Sequence, residues 1–223
     1  MKEFDLITFD CYGTLIDWET GIYEAFRREA AKRGLSFSRD AVISAYLAAE
    51  KEAEAGPYRP YREVLCQSAR KAASTLGWEL SSERMDFLAE SLPGWLPFPD
   101  TNPALERLSS RYHLGILSNI DDALLAETMS HFKVSFEIIV TAEQVRSYKP
   151  RSRHFQEARR RKGHARWLHA AQSYFYDVEP ALKMEIPVAW INRKREALPE
   201  AKPRPLYTAS DLEELASTLL ADA

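Results

Sequence analysis

Leu6-Ile7-Thr8-Phe9-Asp10-Cys11-Tyr12-Gly13-Thr14 is the stretch on which the fold is read. Its first four residues are apolar, β-branched or aromatic and show no polar alternation, the pattern of a short strand buried on both faces. The run stops at an acid and a glycine-containing loop. Similar short apolar runs recur at 114–117, 136–141, 173–176 and 188–191, most of them separated by amphipathic stretches of helical length. Strands alternating with helices predict a parallel sheet covered on both faces. Such sheets carry their chemistry at the carboxyl ends of the strands, which singles out Asp10, Ser118 with Asn119, and Asp177.

Between residue 17 and about 95 the strand pattern gives way to helical periodicity. Ile22, Phe26 and Ala30 recur every four residues before Gly34, which suits a helix C-cap. Ser38 caps a second helix whose face carries Val42, Ile43, Tyr46 and Leu47. Val64, Leu65, Ser68, Ala69, Ala72 and Leu76 stripe a third, ending at Gly77, and Ser81 or Ser82 starts a fourth through Phe87, Leu88 and Leu92. The expectation is a four-helix insert at 17–95 within an α/β core made of 1–16 and 96–223. Asn102 and Pro103 read as N-cap and first residue of the helix that leads back to the sheet. An edge strand is expected at 206–208, and a last helix at 211–220, capped by Ser210 with Glu213 closing a capping box.

The 223 residues, 45% hydrophobic and 28% charged, describe an ordinary soluble globular protein with a real core. Thirty Lys and Arg against 33 Asp and Glu leave a formal charge of -3, which argues against a dedicated nucleic-acid binder. The longest run free of Asp, Glu, Lys and Arg is 167–176, far short of the ~20 residues of a membrane span. The opening Met1-Lys2-Glu3-Phe4-Asp5 carries acids where a secretory signal would be basic and then apolar, so a cytoplasmic protein is expected. Cys11 and Cys66 lie far apart, without CxxC spacing, and read as reduced thiols. No two of the five histidines are spaced i, i+4 as in a helical zinc motif. The basic run Arg159-Arg160-Arg161-Lys162 reads as a solvated helix face, Tyr174-Phe175-Tyr176 as a core strand, and Cys11 as a core thiol facing away from its neighbour Asp10.

An acid at the end of a buried strand loses solvation and is avoided unless it has partners or work to do. Gly13 permits a sharp turn beside Asp10 and Thr14 offers it a hydroxyl donor. A carboxylate so held is ionised and oriented as a nucleophile, or else merely caps its loop.

The wider pattern bears on that choice. Phe9-Asp10-Cys11-Tyr12-Gly13-Thr14-Leu15-Ile16-Asp17, Leu117-Ser118-Asn119, Tyr148-Lys149-Pro150, Ala171-Gln172-Ser173 through Asp177, and Trp190-Ile191-Asn192-Arg193 resemble, in order and spacing, the motifs of the haloacid dehalogenase superfamily. The resemblance implies a Rossmann-like core with a parallel sheet, and makes the helical insert the cap domain that closes over the site. It implies Asp10 as the attacking carboxylate that forms an ester with substrate, and Lys149 as its fixed counter-charge. Thr14 stands beside Asp10, and Ser118 and Asn119 supply hydrogen-bond donors to substrate or leaving group, though Asn119 also suits an Asx turn.

The superfamily's phosphatases carry a second aspartate two residues after the nucleophile, where this chain has Tyr12, and an acid helping to hold magnesium at the position of neutral Gln172. The DxYGT motif instead resembles the metal-independent 2-haloacid dehalogenases, which implies no cofactor, a small 2-substituted carboxylate as substrate and partner, and a homodimer. Asp177 then orients or activates water for ester hydrolysis, or forms an ion pair with Lys149 for structure alone. Those dehalogenases hold the substrate with a cap arginine, yet the comparable helix here reads Tyr46-Leu47-Ala48-Ala49-Glu50-Lys51. Arg59 and Arg62 are the nearest replacements for binding a carboxylate. Gln172 and Tyr174 depart from the usual Ser and Asn, and Glu185 stands where Gly is expected. Trp18 either walls the substrate pocket or packs the hinge. Residues 10–19 and 117–121 also resemble L-azetidine-2-carboxylate hydrolase, which opens a strained ring with the same nucleophile. That enzyme, a phosphatase, and a catalytically silent binding protein remain the alternatives.

Overall fold

In the computed structural model, which describes residues 3–81 and 84–221, β1 (Leu6–Phe9) is fully buried and lies inside a parallel sheet. β2 (His113–Ser118) and then β3 (Ile138–Thr141) flank it on one side; β4 (Trp167–Ala171), β5 (Val188–Ile191) and β6 (Tyr207–Ala209) follow on the other. Every strand pair is parallel, with Phe9 opposite Ile116 of β2 and Ala170 of β4. Successive connections run outward in opposite directions from β1, so the crevice beyond its carboxyl end, between β2 and β4, is the switch point where α/β sheets place their sites. Asp10, Ser118 and the turn after β4 border that crevice.

The expected strand at 173–176 is instead a single π-helical turn, Tyr174–Val178, and the strand lies upstream at β4. His169 and two alanines make β4 read as a weaker strand than the aromatic run that follows. The backbone settles it: Ser173 Oγ accepts from Tyr176 N at 3.0 Å and Ser173 O accepts from Val178 N at 3.1 Å, which coils the chain. Phe175 is 58% exposed, and of the aromatic run only Tyr174, partly buried, packs against the core. The core proper is formed by Leu6, Leu117, Val140, Phe155, Val178 and Trp190 with their neighbours.

Two helix ends differ from expectation. α5 (Thr101–Ser109) begins before Asn102, whose side chain binds His131 O and Lys133 N across a loop instead of capping. Pro103 then occupies the third helical position, where its missing N–H is still one of the orphans of the first turn. α10 (Leu212–Ala221) is capped by Asp211, whose Oδ1 accepts from Glu214 N, while Glu214 reaches back to Ser210 N and Oγ. Glu213 pairs with Arg107 of α5 instead. The basic run lies in α8 (Arg153–Lys162) and is engaged locally, Arg160 and Arg161 by Glu157, Arg159 by Met184 O, Lys162 by Ala165 O.

By its contacts the chain forms two compact units. One holds the sheet and comprises Met1–Ile16, Pro97–Asn119 and Ser130–Ala223; the other comprises Asp17–Leu96 and Ile120–Met129. The second is helical: α1 (Trp18–Ala31), α2 (Arg39–Glu54), α3 (Tyr61–Thr75), the short α4 (Phe87–Ser91) and α6 (Asp122–Met129). Asp17 and Ser38 cap α1 and α2 through Thr20 N and Ala41 N. Phe26 packs edge-on against Trp78 and Phe87 at its centre. Residues 120–129, expected in the core, group with these helices because the Asp121 carboxylate receives the N–H groups of Tyr61 and Arg62, at 2.7 and 2.8 Å, as an N-terminal anchor for α3. Ser82, one of the two expected starts of the fourth helix, lies outside the described residues, as do Met1 and Lys2 of the opening segment.

At Gly115 an added Cβ would meet Ile138 O at 2.8 Å and Thr8 Cγ2 at 3.1 Å, and the carbonyl belongs to the neighbouring strand. Gly115→Val is expected to force β2 from β3 and destabilise the protein by about 1–3 kcal/mol in urea titration.

Candidate active site

Asp10 N bonds Ala170 O at 3.1 Å, extending the β1–β4 ladder one residue past the strand. The chain then tightens, with Leu15 N and Ile16 N both on Cys11 O and Gly13 at φ 99°, a conformation that side-chain-bearing residues rarely adopt. This turn brings Thr14 back over Asp10. Thr14 Oγ1 accepts from Gln172 N at 2.9 Å and donates its one hydrogen to Asp10 Oδ2 at 2.8 Å, fixing that oxygen. Arg193 supports the turn from behind: it donates to Thr14 O at 2.8 Å, pairs with both oxygens of Asp100, and lies 3.9 Å over the Phe98 ring. Burial opposes charge on Asp100, but Arg193 and Leu212 N–H bring its pKa below the ordinary value.

Lys149 is 2% exposed and its ammonium makes three hydrogen bonds: to Asp10 Oδ1 at 2.8 Å, Asp177 Oδ1 at 2.6 Å and Leu117 O at 2.9 Å. That exhausts its donors. Burial works against its charge, but the two carboxylates outweigh burial and hold its pKa above the ordinary value. With one cation for two acids, the site carries an excess negative charge. Burial, helped by the charge of Asp177 and opposed by Lys149, raises the pKa of Asp10. Asp177 also suffers burial, yet Lys149 and His169 bring it below the usual value. The two carboxylates are thereby set apart, Asp10 the more basic.

The loop carrying Lys149 is clasped by Asn119, whose Oδ1 accepts from Lys149 N at 2.7 Å and whose Nδ2 donates to Lys149 O at 3.1 Å. Asn119, expected to offer a donor to substrate, thus positions Lys149 through Oδ1 and one Nδ2 hydrogen, which leaves its second Nδ2 hydrogen for a ligand. Ser118 lies at the end of β2 with its Oγ buried and without a hydrogen-bond partner, a state that leaves it suited to a ligand. Beneath it, His154 Nε2 lies 3.1 Å from Ser118 O, and burial with Lys149 nearby lowers the His154 pKa to about 3, so the neutral ring donates to that carbonyl. Gln172 contributes its backbone, N–H to Thr14 and C=O to Trp190 Nε1. Tyr12 is half-buried and bridges to Ile16. Cys11 is fully buried, and burial pushes its thiol well up.

Three expected site residues belong to the helical unit. Arg59 donates to Gln67 Oε1 at 2.6 Å, Arg62 is exposed, and Trp18 packs at 6.0 Å between ring centroids on Tyr46. That unit also holds a part-buried acid that periodicity did not flag: Glu50 Oε1 receives the hydroxyls of Tyr46 and Tyr61, each at 2.7 Å, and desolvation raises its pKa. In the sheet unit the residues missed were His154 and His169; the signal for His169 is a histidine inside an otherwise apolar strand, whereas His154 lies in the basic helix α8, where a histidine is unremarkable.

Among the described residues no group of three or more His, Cys, Asp or Glu side chains is arranged to hold a metal ion. The donor set does not suit magnesium: Gln172 is neutral and Asp10 and Asp177 are already joined through Lys149.

Residues 4–171 match the haloacid dehalogenase-like hydrolases. Over 231 residues the chain is 27% identical to an (S)-2-haloacid dehalogenase of Pseudomonas putida, spanning 99% of this chain and 98% of that one. It is 25% identical over 219 residues to haloacetate dehalogenase H-2 of Moraxella sp. (strain B), spanning 93% and 94%. Among solved structures, L-2-haloacid dehalogenase from Xanthobacter autotrophicus with chloropropionic acid covalently bound has a TM-score of 0.82 over 99% of this chain and 100% of that one, at 18% identity. At that identity the likeness speaks for the fold.

Removing the Lys149 charge leaves two buried carboxylates uncompensated. Lys149→Met is expected to cost about 3–5 kcal/mol near neutrality. The acids then have folded-state pKa values above their unfolded ones, so the native state binds more protons and stability falls as pH rises through that interval. Urea midpoints measured across pH should show the gap from wild type narrowing towards acid.

Proposed function

The chain belongs to the haloacid dehalogenase-like hydrolases, and from that premise we propose that it hydrolyses the carbon–halogen bond of a small 2-haloacid through an ester on Asp10. A carboxylate oxygen of Asp10 attacks the halogen-bearing carbon from the side opposite the halogen. The O–C bond forms as the C–halogen bond breaks, the halide leaves with the bonding pair, and the carbon inverts. Water then adds to the acyl carbon of Asp10 while its proton passes to Asp177. The acyl C–O bond breaks, the released alkoxide takes that proton to become the 2-hydroxyacid, and the side chain returns as a carboxylate as the remaining proton of the water passes to solvent.

The observation that carries this proposal is a buried nucleophile with a fixed cation and no second acid two residues on, where Tyr12 stands. A departing halide needs no proton, whereas a departing alkoxide does. Full-length similarity to 2-haloacid and haloacetate dehalogenases supports the substrate class. Raised basicity suits Asp10 to attack, and the lowered pKa of Asp177 keeps it ionised to receive a proton. With Asp177 Oδ1 taken by Lys149 and His169, Oδ2 is the oxygen left for that proton. Thr14 holds the attacking group's rotamer, Lys149 offsets charge about the intermediate, and Ser118 Oγ is the donor offered to the substrate. With this assignment go the insert 17–95 as the family's cap, a cytoplasmic location and a homodimer; no described helix is long and apolar enough to cross a membrane.

Halide release from 2-chloropropionate should persist in EDTA, and Asp10→Asn should lower it by at least about 1000-fold. Metal-dependent phosphate release without halide release would assign the chain to the phosphatases instead. Because protonated Asp10 cannot attack, kcat/KM should fall as pH drops through a midpoint above the ordinary aspartate range, measured by halide release in buffers of constant ionic strength.

A further inference from the structure

A buried relay of hydrogen bonds runs through the sheet to Asp177. Trp167 Nε1 donates to Thr8 Oγ1 at 2.7 Å, Thr8 Oγ1 lies 2.9 Å from His169 Nδ1, and His169 Nε2 lies 3.2 Å from Asp177 Oδ1. Thr8 and His169 are opposite one another in the β1–β4 register, and both are fully buried. Trp167 and His169, two residues apart in β4, address the same hydroxyl.

The direction of the relay follows from donor chemistry. An indole N–H can only donate, so Thr8 Oγ1 accepts from Trp167 and has one hydrogen of its own to give. If the imidazole hydrogen were on Nδ1 alone, the Nε2 lone pair would face the Asp177 carboxylate, two acceptors opposed without water between them. With the hydrogen on Nε2, Thr8 donates to Nδ1 and His169 donates to Asp177, and every group is satisfied. The ring is further held by an edge-on contact with Phe155, centroids 5.2 Å apart.

We propose that His169 is a positioning residue for ester hydrolysis, its tautomer set by Trp167 and Thr8 so that its Nε2–H, opposite Lys149, pins Asp177 Oδ1 and aims Oδ2 at water beside the Asp10 acyl carbon. The inference rests on the proposed reaction. It separates the two chemical steps: ester formation needs Asp10 and Lys149, which His169 does not touch, whereas ester hydrolysis needs Asp177 correctly turned.

The test follows halide burst and ester decay with 2-chloropropionate, the ester being read as added mass on intact protein. His169→Phe keeps a ring against Phe155 but cannot donate. It should leave the burst within about 3-fold of wild type and slow ester decay by about 10- to 100-fold, as expected for loss of a buried hydrogen bond to a charged group, so that modified protein accumulates. His169→Gln, whose amide N–H can occupy the place of Nε2–H, should recover most of the decay rate. Thr8→Val, which removes only the donor that sets the tautomer, should slow decay in the same sense but less, and serves if His169→Phe does not fold. Burst and decay slowed together in His169→Phe, decay unchanged in it, or no recovery in His169→Gln would each overturn the role. Wild type that releases no halide and forms no adduct would instead overturn the proposed reaction, and this role with it.

Discussion

An ammonium group fixed between two carboxylates and a strand-end carbonyl is the interaction from which the rest of the site takes its geometry. Lys149 is almost fully buried, a placement that strongly disfavours charge unless partners are close and well aligned. Each carboxylate contact is worth on the order of 5 kcal/mol of Coulomb attraction at an effective dielectric of 20, before desolvation is counted against it. The three acceptors come from three places in the sheet: Asp10 past β1, Leu117 in β2, and Asp177 in the turn after β4. Those strands are neighbours about β1, so parallel order and register converge on one nitrogen. Asn119, in turn, clasps the backbone that carries it.

Sharing one cation between two acids also divides their labour. Thr14 and Lys149 each take one oxygen of Asp10, yet burial and the neighbouring negative charge still raise its pKa. Asp177 receives Lys149 and His169 on a single oxygen and is stabilised as an anion. Environments that push two carboxylates apart in basicity are a familiar way to give them different roles in one reaction. Here each carboxylate accepts two hydrogen bonds, and the difference arises from the neighbouring groups: the charge of Asp177 acts on Asp10, whereas His169 stabilises Asp177.

Much of this was legible in residues 6–17. A short buried strand ending in an acid, with a glycine three residues on and a threonine four residues on, specifies a turn that returns a hydroxyl to the acid, and the structure has that bond. Asp10, Thr14, Lys149 and Asp177 do come together: Asp10 follows β1 directly, while Lys149 and Asp177 lie on the segments beyond β3 and β4 at the same edge of the sheet, Lys149 held there by Asn119. The strand before Asp177 was less legible: alanines and a histidine in β4 carry a weaker apolar signal than Tyr174-Phe175-Tyr176, which a serine cap turns into a π-helical coil. The role of Asn119 in holding the Lys149 loop was not legible, since its partners are backbone atoms 30 residues away. His169 was silent for a related reason. A histidine in a strand announces only that something polar lies opposite, and its partners Thr8 and Asp177 are defined by register and by the turn, not by spacing.

The most direct measurement is the origin of the oxygen transferred to substrate. With enzyme in excess over 2-chloropropionate in heavy-oxygen water, a single turnover through an Asp10 ester delivers an unlabelled hydroxyl to the product and leaves the heavy atom in the peptide that contains Asp10. Product labelled from the first turnover, with that peptide unlabelled, would mean that water attacks substrate directly and that Asp10 is not the nucleophile.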